Sequence, residues 1–171
     1  DIVVIADMKT PFDETENERL NKYIARGGNL FILGDARRQE AMNPIAQQFG
    51  VTFCEGTLVE MEEDKVPSLV IGRITKEAAE NFKTYARPRD FGYVVTMPDA
   101  VGFSFDASKG FKAVPVIRTD STCWNELQTT DFLDEVPEYN PEKGELQGSV
   151  PTVLALSRQV GDKEQRVVIT G

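Results

Sequence analysis

Residues 1–35 open on Asp1-Ile2-Val3-Val4-Ile5-Ala6, pass through a polar stretch that starts at Pro11-Phe12-Asp13, and end on Gly27-Gly28-Asn29-Leu30-Phe31-Ile32-Leu33-Gly34-Asp35. The two apolar runs, at 2–6 and 30–33, suit strands buried on both faces. Between them the pattern is helical. Asp13 is placed to cap a helix, Glu16 completes a D-x-x-E capping box, and Phe12 sits at the staple position. Leu20 and Ile24, four apart with Tyr23 beside them, form one buried stripe, and Gly27-Gly28 ends the helix as a left-handed cap. A strand, helix and strand of these lengths imply a parallel pair joined by a right-handed crossover.

Working outward, Gly34-Asp35 turns into a second helix over 37–49, which Pro44 breaks or restarts. Strand–helix–strand–helix over residues 1–50 predicts a doubly wound α/β domain with a mostly parallel sheet. Short strands follow at 51–53, 57–59 and 68–74. Thr75 caps a helix with Ala78, Ala79, Phe82 and Ala86 at helical period, and further strands fall at 93–97, 101–105 and 111–118. Residues 119–149 read as a long acidic surface loop. A hairpin, 152–160 and 165–170 around Gly161-Asp162, closes the chain. Residues 1–171 form a single domain. Its ends lie inside strands, which suggests an excised piece of a longer, membrane-associated protein.

Composition narrows the function. Of 171 residues, 40% are hydrophobic and 27% charged, so the chain folds. Its 28 Asp and Glu outnumber 19 Lys and Arg, for a net charge of −9, which repels nucleic-acid phosphates and anionic lipid. There is no His, which removes Ser-His-Asp and Cys-His catalysis and His-based zinc sites. Cys54 and Cys123 form no CxxC pair; they are compatible with one disulfide or with two separate thiols. No apolar run reaches the ~18 residues that span a bilayer. The expected chemistry is binding rather than catalysis, with no cofactor.

Several residues are candidates for a site. Gly34-Asp35-Ala36-Arg37-Arg38 occupies the strand-to-helix turn where hydrolases carry a nucleophile elbow, but Asp35 stands at the nucleophile position and Arg37 replaces the following Gly. That favours a capping turn, with Arg37 and Arg38 either solvated or facing an anion. Asp7, Asp35 and Asp120 each follow a strand. If those strands were parallel neighbours, the carboxylates would share a crevice able to hold Mg²⁺ or Ca²⁺, as in a divalent-metal hydrolase; otherwise they cap turns. The acidic runs at 60–64 and 131–145 lack calcium-loop spacing and read as solvated faces. Trp124, the sole Trp, lies in Ser121-Thr122-Cys123-Trp124-Asn125-Glu126. With Asn125 and Glu126 it forms a candidate surface for a protein, sugar or solute, or else a lid over the sheet edge.

Three stretches carry a family resemblance. The opening strand, the Tyr23-Ile24-Ala25-Arg26-Gly27-Gly28 helix end with Asn29–Asp35, and Thr119-Asp120-Ser121-Thr122-Cys123-Trp124-Asn125-Glu126 resemble the auxiliary family of ABC-type transport systems that includes the gliding-motility subunit. Val150–Leu156 and Gln165–Gly171 are similar to its closing strands. The resemblance implies a glutamine-amidotransferase-like, catalytically dead domain on the periplasmic side of a bacterial inner membrane. Its implied partners are other transporter subunits, extracytoplasmic proteins or a glycan. Related domains occur in an intraflagellar-transport subunit as scaffolds. Cys123, where Ser is usual, and the acidic insert after it depart from the pattern, and no catalytic residue carries over.

Overall fold

The computed structural model describes residues 1–6 and 8–171. Its first unit follows from local chemistry. Strand β1 (Ile2–Ile5) leads to helix α1 (Glu14–Ala25) and strand β2 (Asn29–Leu33). Asp13 Oδ1 accepts the Glu16 N–H at 2.8 Å and Glu16 Oε2 accepts the Asp13 N–H at 2.9 Å, a reciprocal capping box. At the other end Gly27 takes φ +80°, the Gly28 N–H donates to Tyr23 O and the Gly27 N–H to Ile24 O. Those two bonds satisfy carbonyls that the helix end would leave bare. β1 and β2 then pair in parallel, Val3 opposite Leu30 and Ile5 opposite Ile32.

Beyond β2 the doubly wound expectation fails. Helix α2 (Gln39–Ala46) runs through Pro44 into a 3₁₀ turn at Gln47–Phe49, with no fresh start at the proline. Strands β3 (Val51–Phe53) and β4 (Thr57–Val59) leave the main sheet altogether. There follow β5 (Leu69–Ile74), α3 (Lys76–Asn81), α4 (Lys83–Asp90), β6 (Val94–Pro98), β7 (Phe103–Phe105), β8 (Lys112–Thr119), β9 (Trp124–Glu126), β10 (Pro151–Val160) and β11 (Lys163–Thr170). The main sheet has the order β1-β2-β11-β10-β8-β5-β6, while β3 pairs with β7 and β4 with β9 in two-stranded ribbons. Only β1–β2 and β2–β11 are parallel; the other four junctions are antiparallel. The fold is thus a curled, mixed half-barrel sheet with four short helices among the described residues, not a doubly wound parallel sheet.

Two physical facts explain the difference. A hairpin with a two-residue turn can only be antiparallel, so β10 reverses the sheet once β11 has docked on β2. The helical period after Thr75 makes helices but not a crossover: α3 and α4 are six and eight residues, break at Phe82, and return the chain to β6 antiparallel to β5.

Each face of the sheet has its own core. On one face α1, α2 and the β3–β7 ribbon cover Ile5, Leu30, Ile32, Val167, Ile169, Leu154 and Leu156. A buried Gln165 locks the hairpin to α1, donating from Nε2 to Gly28 O at 2.7 Å and Ile24 O at 3.1 Å while its Oε1 accepts from Arg158. On the other face Phe82 and Tyr85 join Ala78 over Val70, Val114 and Ile117. That second cover reaches only the β10–β8–β5 half. The cross-strand row Val4, Phe31, Val168, Ala155 and Val114 runs from exposed at β1 to buried beneath this cover.

Candidate functional site

The turn after β2 opens a crevice of about 690 Å³ bounded by Asp35, Arg37, Arg38, Ser68, Asp99 and Asp131, with Phe132 and Leu133 on one wall. Gly34 is required here: a Cβ would come within 2.1 Å of the Phe53 ring, and the Gly34 N–H is tied to Thr170 O at 2.7 Å. The chain then bends so sharply that Arg37 adopts φ +65°, in the left-handed region that side chains disfavour. Its guanidinium repays the strain by donating to Thr130 O at 2.5 Å, anchoring the turn to the 119–149 excursion. Asp99, on the opposite wall, is also left-handed at φ 48°, and its N–H donates to Ser68 O.

So Asp35 and Arg37 do lie in one crevice, but the left-handed residue is Arg37 and not the residue at the nucleophile position. Acidic and basic groups share an open hollow whose lining is as apolar as it is polar. Such a hollow can hold a surface of another molecule that offers both charged and apolar groups.

Of the carboxylates considered for a metal, Asp35 and Asp120 do not converge. Asp7 lies outside the described residues. Asp120 follows β8, which β10 and β11 separate from β2, and its carboxylate is bound to Arg73 Nε at 2.9 and 3.0 Å. Among the described residues no group of three candidate ligands could hold a metal ion. The divalent-metal hydrolase reading is therefore withdrawn.

The 119–149 excursion differs most from its expected character. Trp124 is 5% exposed, packed with Val59 and Phe132 and edge-on to Tyr139 at 6.2 Å. It belongs to β9, which pairs with β4. Its indole N–H donates to Glu126 Oε2 at 3.2 Å, and Glu126 Oε1 accepts the N–H groups of Gln128 and Thr129. Asn125 is turned the other way; its side chain donates to Glu55 O and accepts from the Leu146 N–H. The indole is thus a core group rather than an exposed stacking platform, which removes the basis for the sugar- or solute-binding alternative.

Residues passed over as solvated charge turn out to be internal. Glu145 is 1% exposed and accepts the N–H of Asn140 at 2.6 Å and of Leu127 at 3.2 Å. Glu60 is buried too and accepts from the Thr122 hydroxyl. Both cysteines are free thiols. Burial pushes Cys123 up to about 12, with the carboxylates of Glu60 and Asp120 adding in the same direction. Burial also raises Cys54.

These features define a mixed-sheet domain whose acidic excursion is held from within and whose crevice is open and of mixed polar and apolar lining. The fold is similar to that of a solved structure, "mmIFT52 N-terminal domain", an intraflagellar transport domain: TM-score 0.67, 16% sequence identity, covering 99% of this chain and 64% of that one. The chain spans slightly less than two thirds of that structure's length, and at this identity the likeness concerns the fold alone. No family model matches the chain, and comparison with curated proteins finds no match. The resemblance to an ABC-type transport auxiliary or gliding-motility subunit with a glutamine-amidotransferase-like domain is accordingly corrected.

Proposed function

We propose that this chain is a non-catalytic protein-binding module that engages its partners through the open edges of its main sheet. The observation that supports this most is where large apolar side chains remain exposed. Ile2 and Val4, 66% and 59% exposed, lie on edge strand β1, and Val94 and Val95, with Phe91 and Tyr93 leading in, lie on or beside edge strand β6. Edge strands in stable monomers are usually blunted by charge, proline or cover, and clustered exposed apolar groups mark interaction surfaces. A protein surface suits these edges better than nucleic acid, which the net charge of −9 repels.

The test is site-specific photo-crosslinking in the source cells, with a photoreactive residue at Val4 or Val95 and, as control, at the exposed Lys163 beside the hairpin turn. Adducts concentrated at the two edges would support the reading; adducts absent there, or equally frequent at the control position, would sink it. Turnover of an acyl, amide or phosphate ester that survives purification to homogeneity would also overturn it.

A further inference from the structure

Strand β6 closes the main sheet at the end opposite β1, and among the described residues it has β5 on one side and no strand on the other. Its outward row of backbone N–H and C=O groups therefore has no strand partner. Where the chain leaves α4 and enters β6, residues 89–96 are all exposed, and they include Phe91, Tyr93, Val94 and Val95.

This corner is basic in a chain of net charge −9. Lys83, Arg87 and Arg89 stand on α4 against one carboxylate, Asp90. Lys83 and Arg87 are four apart, on one side of the helix, and Phe91 continues that line. The Arg87 guanidinium sits 5.6 Å from the centroid of the Phe91 ring, and the Phe91 ring is 6.1 Å from Tyr93, tilted by 30°. Arg89 and Tyr93 border one hollow of about 380 Å³ together with Arg73 and Gly92. These contacts carry the positive charge of α4 to the first residues of β6. Among the described residues Lys83 and Arg87 form no ion pair, and Arg89 has only Asp90, at 3.9 Å. At the far end of the strand the sign reverses, because Asp99 follows Pro98, which also has no N–H to offer.

An acidic strand and an anionic lipid surface both suit a basic, apolar corner, and the strand geometry favours the first. Val94 lies opposite Arg73 and Val95 opposite Gly72, so the two valines project from opposite faces of the sheet. A flat bilayer meets one face at a time. A strand laid along β6 packs on both faces and takes up the free backbone row as well.

We propose that the β6 edge receives an extended acidic segment of a partner protein. The segment adds to the main sheet as one more strand, with its carboxylates against Arg87 and Arg89 and its apolar side chains against Tyr93, Val94 and Val95. The proposal rests on the reading of the sheet edges as binding surfaces and names the chemistry of what one of them takes.

The experiment titrates the full chain into a fluorescein-labelled peptide of about ten residues, the length of a long strand, alternating Val and Glu. Its counterpart alternates Val and Lys. The expected result is saturable binding of the Val–Glu peptide, followed by anisotropy, that weakens as salt rises from about 50 to about 500 mM. Arg87→Glu with Arg89→Glu should lower that affinity at least about tenfold. Lys22→Glu with Lys163→Glu changes the net charge equally at exposed positions on other elements, and should bind as the parent does. Bound peptide should slow amide hydrogen exchange at residues 94–97 and leave β1 unchanged, and circular dichroism should show both variants folded. No binding of the Val–Glu peptide overturns the proposal, as does equal binding of the Val–Lys peptide, equal loss in both variants or protection at β1 instead. Binding to phosphatidylserine vesicles through Arg87 and Arg89 without peptide binding overturns it in favour of lipid, and self-association blocked by the same variant overturns it in favour of a second copy. In each of those cases adducts from Val95 to another protein would leave the functional reading standing, whereas silence at both sheet edges would overturn that reading as well.

Discussion

Trp124 donates its indole N–H to the carboxylate of Glu126, two residues on and on the same side of β9, and both side chains are buried. The pair closes a small core with Val59 and Phe132 beneath a segment that looks, by composition, like a solvated loop. Trp124→Ala removes the ring from that core and leaves Glu126 Oε2 without its donor. The expected loss is about 3–5 kcal/mol, the usual cost of truncating a buried aromatic. Urea unfolding checks it; a loss below about 1 kcal/mol, within the range of ordinary surface substitutions, would place the indole at the surface instead.

Glu145 gives a second test of the same segment. Its carboxylate accepts two backbone N–H groups, those of Leu127 and Asn140, that are otherwise 13 positions apart by number. Glu145→Ala strips both acceptors, and because both N–H groups are only half-buried each costs at most about 1–3 kcal/mol when left unpaired. Amide hydrogen exchange should accelerate at Leu127 and Asn140 before it does so in β10 or β11. Uniform acceleration across the whole chain would mean that the segment is not held by this carboxylate.

What the sequence made legible was local. The Asp13–Glu16 box, the Gly27-Gly28 cap and the two-residue turn at Gly161-Asp162 each act over a few residues, and all three form. The docking of β11 beside β2 is different. Leu30 meets Val167 across 137 positions because both present apolar side chains to the α1 face, and no short-range signal encodes that choice. Nor does a charge count separate a solvated Glu from a buried one. The Trp124-x-Glu126 spacing carried a faint strand signal, two side chains on one face of a period-2 element, whereas nothing near Glu145 marks it as internal. At the crevice, the turn holding Asp35 and Arg37 was legible, but the left-handed backbone at Arg37 and the tertiary tie of its guanidinium to Thr130 O were not.

Cys123 makes stability depend on pH in the alkaline range. Its thiol ionises at the ordinary 9.0 when unfolded and only at about 12 when buried. Below pH 9 it is protonated in both states and its contribution is fully present. As pH rises from about 9 toward 12 the unfolded chain loses the proton and the folded chain does not, so stability falls, by at most about 1.4 kcal/mol per pH unit. Other groups titrate there too, so the measurement is the difference between the parent and Cys123→Ala. The variant should show a shallower decline above pH 9; parallel curves would mean that the thiol is no more buried in the folded chain than in the unfolded one.

Gln165 tests how the hairpin is fastened to the first helix. Its side chain is fully buried, and its amide reaches two carbonyls at and just past the end of α1: Ile24 O, which also accepts the Gly27 N–H, and Gly28 O. Gln165→Leu keeps the bulk and removes the donors, leaving those carbonyls and the Arg158 guanidinium without this partner. A loss on the order of 1–3 kcal/mol is expected from Gly28 O left without this donor, since Ile24 O keeps the Gly27 N–H. Gln165→Glu should cost more, because a carboxylate would then face both carbonyl oxygens in a dry site. The size of the Leu effect distinguishes the two causes: if apolar packing alone held the hairpin, Gln165→Leu would be close to neutral. Urea unfolding of the three proteins ranks them, and hydrogen exchange in the last turn of α1 should quicken first in both variants. A ranking in which Leu is neutral would show that the hairpin is held to α1 by apolar contact and not by this amide.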